Sequence, residues 1–352
     1  MTYSTPTGRT SSPVIRTRGL TRHFAVRKQS VEAVRGLDLD IAQGELVAFL
    51  GPNGAGKSTT LRMLTTLIPP TAGSAEVAGF DVVRQQRDVR RHIGYVGQGD
   101  GAGHQQRGID ELVSQGRAHG LSRRDARSRA ATLVDELRLG EDVAGRVVST
   151  MSGGQRRRLD IALGLVHRPP VLFLDEPSTG LDPQNRAHLQ DQVRRLHEAQ
   201  GTTIVLTTHY LEEADALARR VIVIDHGRVI ADDTASRLKS ALGDLIAFDA
   251  ADPDAAGRAG CRAARLPEAH VRVDGSRVRV RVAQGRDLVA GLLHDLRDQQ
   301  IPISGLEVVG PTLDDVFLQL TGRSLRESGD PAAAADPTDE NTDPAHLEGA
   351  AA

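Results

Sequence analysis

The chain has 352 residues, a formal net charge of −2 and 26% charged residues, which excludes the strongly basic surface typical of a general nucleic-acid-binding protein. Its single cysteine, Cys261, excludes an intramolecular disulfide and fits a reducing compartment. No apolar run approaches the roughly 20 residues of a membrane span, and the polar N-terminus lacks the apolar core of a signal peptide, so we expect a cytoplasmic protein or one that reaches a membrane through a partner.

In chain order, the sequence predicts four segments. Residues 1–12 are rich in Thr, Ser and Pro and are expected to be disordered. Residues 13–240 alternate short apolar strands with helical patterns, which is typical of an α/β domain with a parallel sheet, and a helical region is expected at about residues 98–168. Residues 241–322 predict a small α+β domain, and residues 323–352 predict an acidic disordered tail.

Phe24 is the first residue in the chain that could serve a ligand. It follows a predicted strand and turn at residues 14–20 and lies in an exposed segment. Two interpretations stay open: an ordinary packing aromatic, or a platform on which a nucleotide base stacks.

The most specific pattern is a glycine-rich loop that fits G-x-x-x-x-G-K-[ST]. An apolar strand precedes it and a helical pattern follows it, which is the context that the pattern needs. Glycines let backbone N–H groups approach phosphates without Cβ clashes, and the helix adds its positive N-terminal end. Lys57 can then reach the β- and γ-phosphates, and Ser58 can offer a hydroxyl to Mg²⁺. The loop consists of Gly51, Pro52, Asn53, Gly54, Ala55, Gly56, Lys57, Ser58 and Thr59.

Polar residues follow two further predicted strands of the same sheet. Asp175 and Glu176 end the apolar run at residues 171–174, and His209 follows the strand at 204–207. In an open parallel sheet, ligands bind at the carboxyl ends of the strands, so these side chains are expected to converge with the glycine loop. Asp175 suits Mg²⁺ binding, and Glu176 could orient or deprotonate an attacking water molecule.

The ordered set of motifs resembles the nucleotide-binding subunit of ABC transporters. Residues 151–155 (Met-Ser-Gly-Gly-Gln) are similar to the family signature, with Met151 at the usual leucine, and residues 171–176 are similar to its Walker B strand. Residues 178–182 resemble the D-loop, Gln98 the Q-loop glutamine, His209 the switch histidine and Phe24 the adenine-stacking aromatic. The resemblance covers about residues 14–238.

The resemblance implies a P-loop fold with a RecA-like core, an antiparallel β subdomain and a helical subdomain, followed by the small α+β domain. It also implies an ATP hydrolase that sandwiches ATP and Mg²⁺ between two chains. The implied catalytic residues are Glu176, His209, Gln98 and Lys57. The implied metal ligands are Ser58, Gln98 and Asp175. The implied nucleotide-binding residues are Phe24, residues 51–59, Ser152, Gly153, Gly154 and Gln155.

A narrower resemblance lies in residues 225–231 and 310–322, which are similar to the daunorubicin/doxorubicin resistance ATP-binding proteins. It implies an exporter subunit for a drug or antibiotic, working as a homodimer on two copies of a separately encoded membrane permease at the cytoplasmic face. An importer or lipid transporter subunit is an alternative. A soluble ABC ATPase acting on ribosomes or DNA is another, although the chain has one glycine loop, one signature and no long heptad run. One departure from the family is that residues 99–108 have few of the apolar side chains that usually meet a membrane partner.

Overall fold

The computed structural model describes residues 13–26, 29–99, 101–103 and 105–324. The strands are β1 (Ile15–Val26), β2 (Gln29–Ile41), β3 (Leu46–Leu50), β4 (Ala72–Val77), β5 (Phe80–Asp81), β6 (Ile93–Val96), β7 (Val171–Asp175), β8 (Thr203–Thr208), β9 (Arg220–Asp225), β10 (Arg228–Asp233), β11 (Asp244–Ala250), β12 (His270–Asp274), β13 (Arg277–Val282) and β14 (Ile303–Val309). The α-helices are α1 (Lys57–Leu64), α2 (Gln86–His92), α3 (Gly108–Ala118), α4 (Arg123–Glu136), α5 (Glu141–Ala144), α6 (Gly153–Leu165), α7 (Pro183–Gln200), α8 (Leu211–Leu217), α9 (Ala235–Ser240), α10 (Pro253–Ala263), α11 (Gly285–Asp298) and α12 (Leu313–Thr321), and Val148–Thr150 forms a 3₁₀ turn. The predicted disordered segment 1–12 and most of the predicted tail 323–352 lie outside the described residues.

A six-stranded sheet forms the centre of the larger domain, in the order β10-β9-β3-β8-β7-β6. β3 pairs in parallel with β8 and β9, and β7 pairs in parallel with β6 and β8. Every residue of β3, β7 and β8 is buried, because helices or the second sheet cover both faces. The sequences of β3 and β7 are accordingly almost continuously apolar, while β8 combines Ile, Val and Leu with three threonines. The carboxyl ends of these three strands therefore open at one edge, as the sequence predicts.

An antiparallel sheet in the order β2-β1-β4-β5 packs beside this core. The sequence predicts a first strand that ends near residue 20, whereas β1 continues to Val26 and places Phe24 opposite Val31 within a long hairpin. The pairing of β1 with β2 shifts register three times between Thr17 and His23. Such irregularities interrupt the strict alternation that marks a strand in a sequence, so the sequence pattern does not predict the second half of β1.

Helices α3 to α6 form the helical region, within the predicted range of about 98–168. The glycine-rich segment after Gln98 is held against α6, since the backbone N–H groups of Gly101 and Ala102 each donate to Asp160 Oδ1 at 3.0 Å. Ala102 is buried as a result. No helix in the described part of the chain is both long and apolar enough to cross a lipid bilayer.

The small domain has the element order β11-α10-β12-β13-α11-β14, with the sheet order β12-β13-β11-β14 and antiparallel pairing throughout. This is the ferredoxin-like β-α-β-β-α-β arrangement. Helix α10 is not among the elements predicted from the sequence, because its buried face is built from small residues such as Ala255, Ala259 and Ala263 rather than from large apolar side chains. The predicted α/β core with β and helical subdomains and a small α+β domain is confirmed, while the domain boundaries stay predictions.

The closing helix α12 packs away from the ferredoxin-like core. Leu313, Val316 and Phe317 belong to the same buried cluster as the central sheet and the helical region, and α12 contacts α8 and α9. Beyond α12, Arg323 Nη2 donates to Asp225 Oδ1 at 2.8 Å, at the end of β9. Helix α12, the last helix in the described part of the chain, therefore connects the small domain to the larger one.

Candidate active site

Three side chains from separate segments meet at the end of β7. Ser58 Oγ, in the first turn of α1, donates to Asp175 Oδ1 at 2.7 Å. Gln98 Nε2 lies 3.2 Å from the same hydroxyl oxygen. Thr207, on β8, also donates to Asp175 Oδ1 at 2.7 Å. The structure thus brings the predicted residues Ser58, Gln98 and Asp175 together, and it adds Thr207.

The glycine loop fits tightly against neighbouring backbone. A Cβ on Gly51 would clash with the carbonyl oxygen of Ile224, at the end of β9, and a Cβ on Gly56 would clash with the carbonyl oxygen of Ala33. Gly56 also has a φ of +102°, a conformation that side chains disfavour. Only glycine can therefore occupy these two positions of the loop without moving the strands behind it.

Lys57 folds back onto the loop that carries it. Its ammonium donates to the carbonyl oxygens of Gly51 at 2.7 Å and Pro52 at 2.9 Å, and it lies 3.8 Å from Glu176 Oε1. Burial lowers the pKa of Lys57, against the opposing effect of Glu176 and Asp175. An ammonium held in this cavity is a fixed positive charge at the place where the sequence predicts phosphate groups.

The residues predicted to bind Mg²⁺ have the right chemistry for it. Asp175 is fully buried, and its Oδ2 atom has no hydrogen-bond partner. Among the described residues, no group of three His, Cys, Asp or Glu could hold a metal ion, so a site here depends on the Ser58 hydroxyl and the Gln98 amide as well. Mg²⁺ prefers such oxygen ligands, takes few of them from protein and keeps several waters. The unused carboxylate oxygen and the adjacent hydroxyl fit that preference.

Glu176 lies one residue beyond β7, half-buried and with a left-handed backbone (φ 46°). Its backbone N–H donates to Thr207 Oγ1 at 2.9 Å, and the hydroxyl of Thr179 donates to its Oε2 at 3.1 Å. His209 Nδ1 lies 3.3 Å from the same oxygen without making a well-formed hydrogen bond to it.

The electrostatic surroundings keep Glu176 ionised. The nearby His209 is the largest cause that lowers the pKa of Glu176, and burial acts in the opposite direction. The charge of Lys57 and the Thr179 hydroxyl lower this pKa further. A carboxylate with a low pKa is a weak base but is ionised at neutral pH. Glu176 is therefore suited to orienting and polarising a water molecule.

The signature segment lies at the start of α6. Ser152 is its N-cap, and a capping box forms because Ser152 Oγ accepts from the Gln155 N–H at 3.3 Å and Gln155 Oε1 accepts from the Ser152 N–H at 2.9 Å. The side chain of Gln155 is thus used in capping the helix, and its predicted contact with nucleotide stays a prediction. Ser152 and Gly153 are exposed, so the N-terminal end of this 13-residue helix is open to a ligand.

The signature and the glycine loop do not touch within one chain. Across the described residues, no hydrogen bond or ion pair joins residues 152–154 to residues 51–59. Phe24 is half-buried, and the guanidinium of Arg22 stacks on its ring at 4.6 Å; its role as a base platform stays a prediction. The structure therefore brings residues of 51–59 together with residues 98, 175–176 and 209, and the signature segment is not part of this cluster.

Sequence reasoning missed three polar residues around this site. Thr207 donates to Asp175 and Thr179 donates to Glu176, as described above. The sequence places Thr207 at the end of a predicted strand and Thr179 in the segment that resembles the D-loop, but it predicts neither contact. Glu213, in α8, is 1% exposed, and neither carboxyl oxygen makes a well-formed hydrogen bond. Burial raises the pKa of Glu213, although the hydroxyls of Thr208 and Ser178 oppose that change.

Comparison with known proteins finds a matching family model, similar sequences and a similar solved structure. A family model described as ABC transporter matches residues 34–179. The daunorubicin resistance ATP-binding protein DrrA3 of Streptomyces coeruleorubidus is 44% identical over 301 residues, which cover 84% of this chain and 93% of that protein. The daunorubicin/doxorubicin resistance ATP-binding protein DrrA of Streptomyces peucetius is 43% identical over 326 residues, covering 91% and 96%.

Among solved structures, the chain is similar to a dimeric post-hydrolysis state of the ATP-binding cassette MJ0796 bound to ADP and Pi. The TM-score is 0.58 at 25% identity, and the match covers 62% of this chain and 98% of that one.

Proposed function

The chain belongs to the ABC transporter family as an ATP-binding, ATP-hydrolysing subunit, and we propose that it hydrolyses ATP between two copies of itself to drive a membrane exporter of a drug or antibiotic. The observation that carries the proposal is the split site. One chain supplies the glycine loop with Asp175 and Glu176, and, among the residues that the structure describes, its signature segment makes no hydrogen bond or ion pair with the loop. A second chain, related by two-fold symmetry, would complete both sites at once.

In this proposal, each residue acts on a defined part of ATP. Lys57 turns from its loop carbonyls to the β- and γ-phosphates, and the backbone N–H groups of residues 51–59 cradle them. Ser58, Asp175 and Gln98 would hold Mg²⁺, which neutralises phosphate charge when bound. Glu176 orients the attacking water, and His209, close to Glu176, senses the γ-phosphate. Ser152, Gly153 and Gly154 of the second chain bind that same phosphate from the opposite side.

ATP then acts as the ligand of a two-state switch. The closed dimer binds ATP better than separated chains do, and hydrolysis removes that difference. The matched relatives are named for resistance to daunorubicin and doxorubicin, and this supports a drug or antibiotic as cargo. We propose that the chain lies at the cytoplasmic face of the membrane, bound to two copies of a separately encoded permease. An importer or lipid transporter is the second candidate, because the cargo contacts would lie on that permease.

The test is an ATP-sensitive pull-down from native membranes with the tagged chain and its Glu176→Gln variant. The proposal expects one small polytopic membrane protein to co-purify with both, and the variant to retain it more strongly with ATP because turnover is blocked. Deletion of the chain should increase sensitivity to the exported compound. Co-sedimentation with ribosomes or DNA, with no membrane protein captured, would overturn the exporter proposal and leave only the ATPase.

A further inference from the structure

Arg157, in the second turn of α6, is a buried arginine whose guanidinium reaches three separate segments. Nε donates to the carbonyl oxygen of Pro177 at 2.8 Å, Nη1 to that of Gly97 at 2.6 Å, and Nη2 to that of Asp175 at 3.2 Å. The residue is 8% exposed. Gly97 precedes Gln98, and Asp175 and Pro177 flank Glu176, so one side chain holds the backbone on both sides of Glu176 and immediately before Gln98.

One turn further along α6, Asp160 holds the other end of the segment that carries Gln98. Its Oδ1 atom accepts from the N–H groups of Gly101 and Ala102. Arg157 and Asp160 therefore clamp this segment before and after Gln98, and both clamps come from the helix that begins at Ser152. A displacement of α6 along or about its axis must move Gln98, since its backbone is attached at both ends.

We propose that Arg157 is a positioning residue that couples the signature segment of a chain to the Gln98 and Glu176 of the same chain. Contact between residues 152–154 and ATP held by a second chain then sets the geometry of the first chain's own site, so that each ATP influences hydrolysis of the other. This inference rests on the proposed ATP sandwich, because it needs a phosphate bound at the signature.

The chemistry of the side chain fits that role. A guanidinium presents five N–H donors in a rigid plane, and three carbonyl oxygens around its edge use that planar geometry. A lysine offers a single nitrogen at the end of a flexible chain and cannot span three separated oxygens, while a glutamine offers two N–H donors. Arg157→Lys should therefore retain part of the coupling, and Arg157→Gln should retain less.

Arg129 is a matched control. It is also a buried arginine, 7% exposed, and its Nη2 donates to the carbonyl oxygen of Leu165 at the end of α6 at 3.0 Å. It contacts neither the segment around Gln98 nor the end of β7. Arg129→Gln thus removes a comparable buried hydrogen bond to the same helix without changing the proposed connection.

The experiment measures binding and turnover separately on the full chain. Fluorescent ATP titrations report the affinity of the glycine loop, and steady-state assays report kcat, KM and the Hill coefficient for ATP. We expect the ATP affinity of Arg157→Gln to stay within threefold of wild type, its kcat to fall at least twentyfold, and its Hill coefficient to approach one. Arg157→Lys should be intermediate, and Arg129→Gln should keep kcat and the Hill coefficient near wild type.

Two results would overturn the coupling. One is a folded Arg157→Gln or Arg157→Lys chain with wild-type kcat and Hill coefficient, and the other is an equal loss in Arg129→Gln. A wild-type chain without turnover would instead reject the proposed function. In that case, ATP-driven dimerisation of the Glu176→Gln chain still tests the coupling. Adding Arg157→Gln should raise the dissociation constant of that dimer at least tenfold, and an unchanged dissociation constant would refute the coupling.

Discussion

Thr207 gives a test of how the site is held together. It is fully buried on β8, and its hydroxyl makes two bonds, donating to Asp175 Oδ1 at 2.7 Å and accepting from the Glu176 N–H at 2.9 Å. Thr207→Val keeps the branched shape and the strand preference but removes both bonds. Thr207→Ser is the matched control, because it keeps the hydroxyl and loses only a methyl group.

The expected loss of stability follows from these two bonds. A buried N–H left without a partner costs about 1–3 kcal/mol, and a lost bond to a charged group costs about 1.5–3 kcal/mol. Ser58 still donates to Asp175, so part of the second cost is recovered. We expect Thr207→Val to lower the free energy of unfolding by about 3 kcal/mol, a change of roughly a hundredfold in the folding equilibrium. Thr207→Ser should lose about 1 kcal/mol for one methyl group.

Urea denaturation would measure the stabilities, and steady-state assays would measure kcat for ATP hydrolysis. Because the Glu176 N–H is fixed through Thr207, kcat should fall about tenfold or more in Thr207→Val and remain within threefold in Thr207→Ser. The reasoning is refuted if the valine variant is as stable and as active as the serine variant, since the hydroxyl would then contribute nothing beyond its volume.

Four further substitutions test separate features of the chain. Burial raises the pKa of Glu213 above its ordinary value of 4.5, so folding favours the protonated form and the protein loses stability as the pH rises above that value. Glu213→Gln cannot ionise, so in denaturation series between pH 5 and 8 its free energy of unfolding should increase relative to that of the wild type. A wild type that is more stable than Glu213→Gln at every pH would contradict this. Glu176→Gln should keep ATP binding within threefold and lower kcat by about a hundredfold or more, and near-normal turnover would remove Glu176 from catalysis. Phe317→Ala should reduce the free energy of unfolding by about 3–5 kcal/mol and lower the temperature of the unfolding transition that ATP stabilises, as expected for a residue of the larger domain's core. Phe248→Ala should instead lower the temperature of the small domain's own transition.

The residues that touch nucleotide in the proposed mechanism could be predicted from the sequence, since each follows an apolar strand or opens a helix. Parallel strands in an open sheet end at one edge, and this rule alone brings Asp175 and Glu176 to the glycine loop. In the structure, Ser58 contacts both Asp175 and Gln98 directly. Local patterns were sufficient here because each motif carries its own secondary structure.

The supporting residues could not be predicted in this way. Thr207 meets Asp175 because β7 and β8 pair in one particular register, Asp175 opposite Thr207, and the two residues are 32 positions apart. Arg157 lies in a run of three arginines, and helical periodicity does not say which of them enters the interior. Both assignments depend on tertiary packing, which no local window contains.

The C-terminal helix α12 illustrates the same limit on a larger scale. Its apolar positions predict a helix that closes the small domain, and a capping box at Thr312 and Asp315 marks its start. The partner of its apolar face is nevertheless the larger domain, with Phe317 fully buried in that core. Periodicity specifies that a face is buried but not which surface buries it.

Asp175 connects the residues around the glycine loop to the signature helix. Its carboxylate accepts from Ser58 and Thr207, on the nucleotide side, while its own carbonyl oxygen accepts from Arg157, on the side of α6. Both attachments act on one residue at the buried end of β7, so a shift of α6 that moves this carbonyl also changes the geometry of the carboxylate. By reciprocity, a ligand that fixes the carboxylate must also favour one position of α6. A chain with this connection can report the occupancy of its own glycine loop to the signature segment, which meets a second chain in the proposed dimer.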